Sequence, residues 1–217
     1  MIKAGDSPNS IAGRSTRPWF QGLVALVLVV LFLAALRLTL SSDYYPDRFG
    51  VVERGLLYRS AQPSGAQVER VCARHGVRTF ISLRNCRQDS DPLIAEQRAV
   101  LARLGVSFVH IPSETPPGDA QMHEFLEKMR NSEVAKPVLV HCQAGRTRTG
   151  AAVALWRVLE RGWSEDVALH EAHFFGLHDA NTVEMVRDYL ALPPALRGKG
   201  RLAPLIDRHW SSGRRQQ

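Results

Sequence analysis

The longest stretch without a charged residue runs from Pro18 to Leu36 and is dominated by Leu, Val and Ala. It is apolar on every face, unlike a surface helix, whose apolar residues form one stripe. Its length approaches the about 20 residues that a helix needs to cross a hydrocarbon core. Beyond it the pattern breaks into shorter units. Val51–Tyr58 reads as a strand or hairpin, and Val77–Leu83 (VRTFISL) as a strand of β-branched and aromatic residues. Ser107–Ile111 and the run Pro137–Val140 read as two more strands. Segments of helical period lie between them. Ser64 and Gln67 have capping-box spacing and open a helix to about His75, ended by Gly76. Leu93–Leu104 is closed by Gly105, Asp119–Arg130 leads into the last strand, and Ala151–Arg161 ends at Gly162. Ser164 caps a helix to about Phe175, and Asn181–Leu192 stops at Pro193-Pro194. Arg84–Pro92 and Pro112–Gly118 read as loops.

Strands alternating with helices predict an α/β fold: a mainly parallel central sheet flanked by helices, preceded by one N-terminal transmembrane helix. In such sheets ligands gather at the C-terminal ends of the strands. The chain divides into a disordered N-terminus (1–18), a transmembrane signal-anchor (19–40), a folded domain (44–194) and a basic C-terminal tail (195–217).

Charge refines this division. The net charge is +7, with much of the excess at the ends: Lys3, Arg14 and Arg17 before the apolar span, and Arg197, Lys199, Arg201, Arg208, Arg214 and Arg215 in the tail. The tail reads either as a solvated end or as a segment drawn to anionic lipid headgroups. No aromatic or groove motif accompanies the basic residues, so nucleic acid is not an expected partner. Trp19 and Phe20 suit an interfacial anchor, and Arg37-Leu38-Thr39-Leu40 lacks a small-x-small cleavage pattern, which favours an uncleaved anchor over a signal peptide. Basic residues before the span place the N-terminus in the cytoplasm and the folded domain outside it, periplasmic in a bacterium. The three cysteines, Cys72, Cys86 and Cys142, are too few for a disulfide framework. A Cys72–Cys86 pair is conceivable, and the default reading makes both small core or loop residues. His170, His173, His178 and Asp179 lack the spacing that would complete a metal site, and read as solvated or capping residues.

The densest chemistry lies in residues 141–150, HCQAGRTRTG. Cys142 sits between the predicted strand 137–140 and a helix. A strand–loop–helix turn points successive backbone N–H groups and a helix N-terminus at one spot, which makes an anion site. A thiol there is expected to ionise readily and act as a nucleophile. Arg148, six positions on, has the fork geometry that grips two phosphoryl oxygens and that Lys cannot copy. Gly145 allows the backbone to curl.

This decapeptide resembles the signature loop HCxxGxxR[ST]G of the cysteine-based protein tyrosine and dual-specificity phosphatases at every defined position. The resemblance extends more loosely over about residues 44–192, where GLLYRSAQPS (Gly55–Ser64) is similar to the start of the bacterial dual-specificity-like phosphatases of the cell envelope. It implies a phosphatase working through a phospho-cysteine intermediate, with Cys142 as nucleophile and no cofactor or metal; with the apolar span, the expectation is a membrane-anchored phosphatase. Gln143, Ala144, Gly145, Arg146, Thr147 and Arg148 would cradle the phosphate. Thr149 would stabilise the departing thiolate, and His141 would order the loop.

The proton donor is less defined. The family carries an aspartate on a mobile loop before the cysteine, and here that region reads IPSETPPGD. Glu114 and Asp119 are the candidates, with Asp89 and Asp91 as distant alternatives. A solvated loop position also explains Glu114, and helix capping also explains Asp119. The resemblance implies phosphorylated protein as substrate. Arg146 and the AGR run are similar to relatives acting on inositol phosphates or anionic phospholipids, so that substrate class stays open, as does a weakly catalytic phosphate-binding module.

Overall fold

The computed structural model describes residues 18–40, 44–86 and 91–198. The expected disordered N-terminus with its basic residues, the linker 41–43, Asp89 and the basic tail from Lys199 onward lie outside the described residues. Two compact units are distinguished, residues 1–41 and 42–217.

The first unit holds one helix, α1 (Pro18–Leu40), continuous over 23 residues. Its side chains are described at Trp19 and over 21–36, and all of these are exposed. That described stretch is shorter than the about 20 residues of a full span. Among the described residues, then, no helix is long and apolar enough to cross a membrane. The expected transmembrane segment is thus present as a helix, but not as a membrane span, among the described residues.

In the second unit the elements follow in the order β1 (Gly50–Glu53), β2 (Leu57–Ser60), α2 (Gly65–His75), β3 (Thr79–Ser82), α3 (Pro92–Arg103), β4 (Ser107–His110), α4 (Asp119–Arg130), β5 (Val138–His141), α5 (Thr147–Arg161), α6 (Glu165–Phe174) and α7 (Ala180–Ala191), then a 3-10 turn at Pro194–Leu196. The strands form one five-stranded sheet in the order β1-β2-β5-β3-β4. Only the β1–β2 hairpin is antiparallel, so the sheet is mainly parallel as expected.

The side-chain period of a strand sorts this sheet into two cores. Leu57, Ile81, Val138 and Val140 face one side, packed with Met122, Phe125, Leu155, Trp156 and Tyr189 from α4, α5 and α7. Tyr58, Phe80 and Leu139 face the other, packed with Val68 and Val71 of α2 and Leu101 of α3. Helices therefore cover both faces, and β5 reads as a near-continuous apolar run because neither face meets water.

Helix ends follow their chemistry. Ser64 and Gln67 form the capping box, and Gly76 closes α2 in the left-handed region at φ 63°. α5 is the informative departure. It begins at Thr147, not at the expected Ala151, so Arg148, Thr149 and Gly150 belong to its first turn. Thr and Gly are poor helix formers, which hid this turn in the sequence; the fold fixes it through the bond from Gly150 N–H to the Arg146 carbonyl at 2.7 Å.

Leu139 is fully buried on the central strand, whereas Val51 on the edge strand is 46% exposed. Leu139→Ala is expected to lower the unfolding free energy by about 2–5 kcal/mol, and Val51→Ala by no more than about 1. Urea titration of the two variants would compare them directly.

Candidate active site

β5 is buried along its whole length and delivers His141 and Cys142 to the C-terminal edge of the sheet. The chain then turns through Gln143–Arg146 and enters α5 at Thr147. Gly145 makes the turn at φ +66°, and a Cβ there would lie 2.6 Å from the Ala61 nitrogen and 2.7 Å from the Ser60 carbonyl atoms. Those neighbours are backbone and cannot swing aside, so only glycine fits.

The loop is braced from outside through its carbonyls. The Cys142 carbonyl lies 3.2 Å from His141 Nδ1. The Gln143 carbonyl accepts from the Gln62 N–H at 3.0 Å. The Ala144 carbonyl accepts from Arg48 Nη1 at 3.2 Å, and the Gly145 carbonyl from Arg59 Nη2 at 2.8 Å. These peptide bonds are trans, so each N–H points opposite to its carbonyl. With carbonyls 142–145 held outward, the N–H groups of residues 143–146 turn to the inner side of the loop. Converging N–H groups at a helix N-terminus form an anion-binding concavity.

The Cys142 sulfur lies within this concavity, only 2% exposed. Burial alone would raise its pKa, but the Thr149 hydroxyl and N–H, the Arg148 charge and the Gly145 N–H outweigh it and hold the thiol below its ordinary value. Thr149 Oγ1 is buried and makes no hydrogen bond of ordinary geometry, which leaves it available to the sulfur. Arg148 Nη1 donates to the Leu83 and Ser113 carbonyls at 3.1 and 3.2 Å, so the guanidinium is oriented by the ends of two strand-following loops. Its Nε is buried with no partner among the described residues. Thr147 opens α5, and Arg146 is exposed beside the loop.

His141 is fully buried, and burial, together with the nearby Arg84 and His110, lowers its pKa to about 3 despite the Cys142 carbonyl. It is neutral wherever the protein is folded near neutral pH, and its ring stands behind the loop.

Arg59 was not anticipated. It is completely buried in β2, stacks on the Phe175 ring at 4.0 Å, and holds the Gly145 carbonyl. Burial lowers its pKa to about 10, opposed by Glu171 and Cys142, so it stays charged at pH 7. Arg48, the non-glycine residue with φ +53°, and Gln62 were also missed as site residues. The available signal was an arginine in the otherwise apolar segment LLYRS, since a charge on a buried strand is retained only with a specific partner.

The candidate proton donors separate in space. Glu114 is exposed, accepts from Asn85 Nδ2 at 3.1 Å, and follows Ser113, whose carbonyl touches Arg148. Asp119 is the first residue of α4, behind the N-cap Gly118, and only 3% exposed. Asp91 caps α3 and meets Arg84 at 2.5 Å. His173 and His178 contact each other through their Nδ1 atoms at 3.0 Å, His170 is exposed, and Asp179 caps α7. All three cysteines are free.

With this geometry in hand, residues 42–187 match the family model described as a DSP-PTPase phosphatase fused to NAD+ kinase. The chain is 32% identical over 135 residues to the dual specificity protein phosphatase TpbA of Pseudomonas aeruginosa, covering 62% of this chain and 57% of that protein. The chain thus spans little more than half the length of that relative. The crystal structure of P. aeruginosa TpbA in a Cys-to-Ser form in complex with pTyr superposes with a TM-score of 0.50 at 30% identity, covering 61% of this chain and 78% of the other. The catalytic core of the PP-IP phosphatase Siw14 from S. cerevisiae, in complex with citrate, has a TM-score of 0.59 at 22% identity, covering 67% and 87%. At that identity it establishes the shared fold.

Two outcomes follow from the loop geometry. Gly145→Ala is expected to leave the chain folded while displacing the loop, lowering kcat/KM for an aryl phosphate at least about tenfold, because a misplaced cradle forfeits its alignment. Alkylation of Cys142 by iodoacetamide is expected to reach half its maximal rate at a pH below the ordinary thiol value of 9.0, and Thr149→Ala to move that midpoint upward. A midpoint at or above 9.0 would contradict an activated thiol. The histidine adds a stability term with the opposite range. Its folded pKa of about 3 lies below the ordinary 6.5, so the unfolded chain binds the extra proton and stability falls as pH drops from 6.5 toward 3.

Proposed function

Since the chain belongs to the DSP-PTPase family, we propose that this phosphatase is membrane-anchored, depends on Cys142, and hydrolyses phosphomonoesters of proteins, phosphotyrosine above all, through a phospho-cysteine intermediate. The observation that carries this reading is the buried Cys142 at a loop whose carbonyls at 142–145 are each engaged by partners outside it, an arrangement that turns the N–H groups of 143–146 toward the sulfur. The Cys142 thiolate attacks phosphorus as the bond to the ester oxygen breaks. The inner N–H groups and the Arg148 fork stabilise the transferring phosphoryl group, and the leaving oxygen takes a proton from a carboxyl group. Water, giving its proton to that carboxylate, then attacks phosphorus as the S–P bond breaks, releasing phosphate and restoring the thiolate beside Thr149. Glu114 is the better-supported donor, being exposed on the loop that reaches Arg148, while Asp119 is buried at the start of α4.

The membrane reading rests on α1. Its residues 18–36 carry no charged side chain, are dominated by Leu, Val and Ala, and lie in one continuous helix, the composition expected of a membrane anchor. Basic residues before it favour a cytoplasmic N-terminus and an extracytoplasmic, in a bacterium periplasmic, phosphatase unit.

A second substrate class is favoured by one feature. Arg146 and Arg48 both approach the position a Gly176 Cβ would take, within 3.0 and 3.4 Å, and among the described residues neither pairs with a carboxylate. Two such cations beside the loop suit an inositol phosphate or anionic phospholipid headgroup with more than one phosphate.

Cys142→Ser in the full-length protein is expected to abolish release of phosphate from phosphotyrosine peptides. Retained turnover would exclude the covalent route. Glu114→Gln is expected to slow an alkyl phosphate about 10²–10⁴-fold and a nitrophenyl phosphate much less, as for loss of a general acid; equal rates on both would remove Glu114. Arg146→Ala separates the substrate classes, lowering turnover of polyphosphorylated inositol more than that of phosphopeptide if the second class is right. Carbonate extraction of membranes tests the anchor: the full chain should resist it, and a chain lacking residues 1–41 should not.

A further inference from the structure

Behind the loop runs a chain of side-chain amides that the phosphatase reading does not use. Gln62 Nε2 donates to the Pro63 carbonyl at 3.3 Å and to Gln97 Oε1 at 3.1 Å. Gln97 Nε2 lies 3.0 Å from His141 Nε2, and His141 Nδ1 lies 3.2 Å from the Cys142 carbonyl. Gln97 and His141 are both completely buried, and Gln97 stands on α3, 44 positions from the histidine.

The two ends of this chain are backbone carbonyls, which only accept. The Pro63 carbonyl therefore fixes the Gln62 amide with its nitrogen inward, which makes Gln97 Oε1 the acceptor and turns Gln97 Nε2 toward the imidazole. A donor there requires His141 Nε2 to be the lone-pair nitrogen, so the ring proton sits on Nδ1. At the far end the Cys142 carbonyl makes the same demand independently. Reversing either glutamine would set oxygen against oxygen at Pro63, or a lone pair against the Cys142 carbonyl. An imidazolium would bring the His141 Nε2 proton against the Gln97 amide protons. Only one arrangement of donors satisfies both ends.

We propose that Gln97 is a positioning residue for the reactive thiol: it fixes His141 as the Nδ1-protonated tautomer, which holds the Cys142 carbonyl outward and so turns the Gln143 N–H into the phosphate cradle. The inference rests on Cys142 being the reactive thiol of the proposed function. Without the Gln97 donor the ring is free to move its proton to Nε2. Nδ1 then presents a lone pair to the Cys142 carbonyl, the 142–143 peptide loses its tether, and one donor leaves the anion site. Gln62 serves twice, holding the Gln143 carbonyl through its N–H and the amide chain through its side chain.

The test uses the full-length protein and needs no turnover. In wild type, ¹⁵N-resolved NMR of histidine side chains is expected to find His141 protonated at Nδ1 and unprotonated at Nε2, with no titration between pH 5 and 8. Protonation at Nε2 would overturn the proposal without touching the phosphatase reading. Gln97→Met keeps the volume and removes the donor. It is expected to slow iodoacetamide alkylation of Cys142 at pH 6 and to weaken competitive binding of inorganic phosphate, each about fivefold, the size of one lost hydrogen bond. Gln97→Glu places an acceptor against Nε2 and is expected to draw a proton onto that nitrogen in the NMR spectrum. If Gln97→Met lowers the melting temperature but leaves the alkylation–pH profile and phosphate affinity unchanged, the residue is merely structural and the proposal fails. Should neither variant fold, the wild-type tautomer decides alone. Loss of phosphatase activity in Cys142→Ser without the expected tautomer would separate a failed inference from a failed function.

Discussion

Everything in the site depends on which way a few peptide groups face. A polypeptide loop carries as many carbonyls as N–H groups, and an anion is repelled by the first and held by the second. The carbonyls of residues 142–145 are each engaged from outside, by His141, Gln62, Arg48 and Arg59. That leaves the paired N–H groups no choice but the inner face. The cost of gathering donors around a buried sulfur is offset when the sulfur itself is anionic, which is why the thiol ionises more readily despite its burial.

Holding carbonyls outward requires donors behind the loop, and two of them are cations, the half-buried Arg48 and the fully buried Arg59. Arg59 is completely buried, and burial opposes its charge. Such a group survives because its remaining environment is favourable: the Phe175 ring lies under the guanidinium, and the Gly145 carbonyl and the Cys142 thiolate supply negative potential. The neutral His141 solves the same problem differently, by shedding its proton. The parallel strands β2, β5 and β3 then bring these groups together, since Ser60 and His141, and His141 and Ser82, stand opposite one another in register.

Much of the fold was legible because local chemistry and tertiary context agree. Ser64 with Gln67, Gly76 and Ser164 marked helix ends that the structure keeps, and α4 spans the residues anticipated. Disagreement came where the site draws on tertiary contacts. α5 starts earlier than its propensities suggest because the loop itself forms the first turn. Arg59 and Arg48 read as ordinary basic residues, since nothing adjacent in the chain says that one is buried under a loop 86 positions away and the other bonded to a carbonyl 96 positions away. The glutamines were silent for the same reason: an amide has no charge or periodicity to betray it, and Gln97 lies on a helix whose other polar residues face solvent.

The sequence by itself determined the candidate reactive groups and their order, because Cys142, Gly145, Arg148 and Thr149 lie within a short segment whose spacing is local. It also determined the alternation of strands and helices, the apolar helix at residues 18–40 and the excess of positive charge. Only the tertiary structure decided which way the loop's N–H groups point, which nitrogen of His141 carries the proton, and which backbone carbonyls orient Arg148. Those are questions of direction, and direction is set by partners on β2, α3 and the loops after β3 and β4, whose separation along the chain leaves no trace in the local pattern.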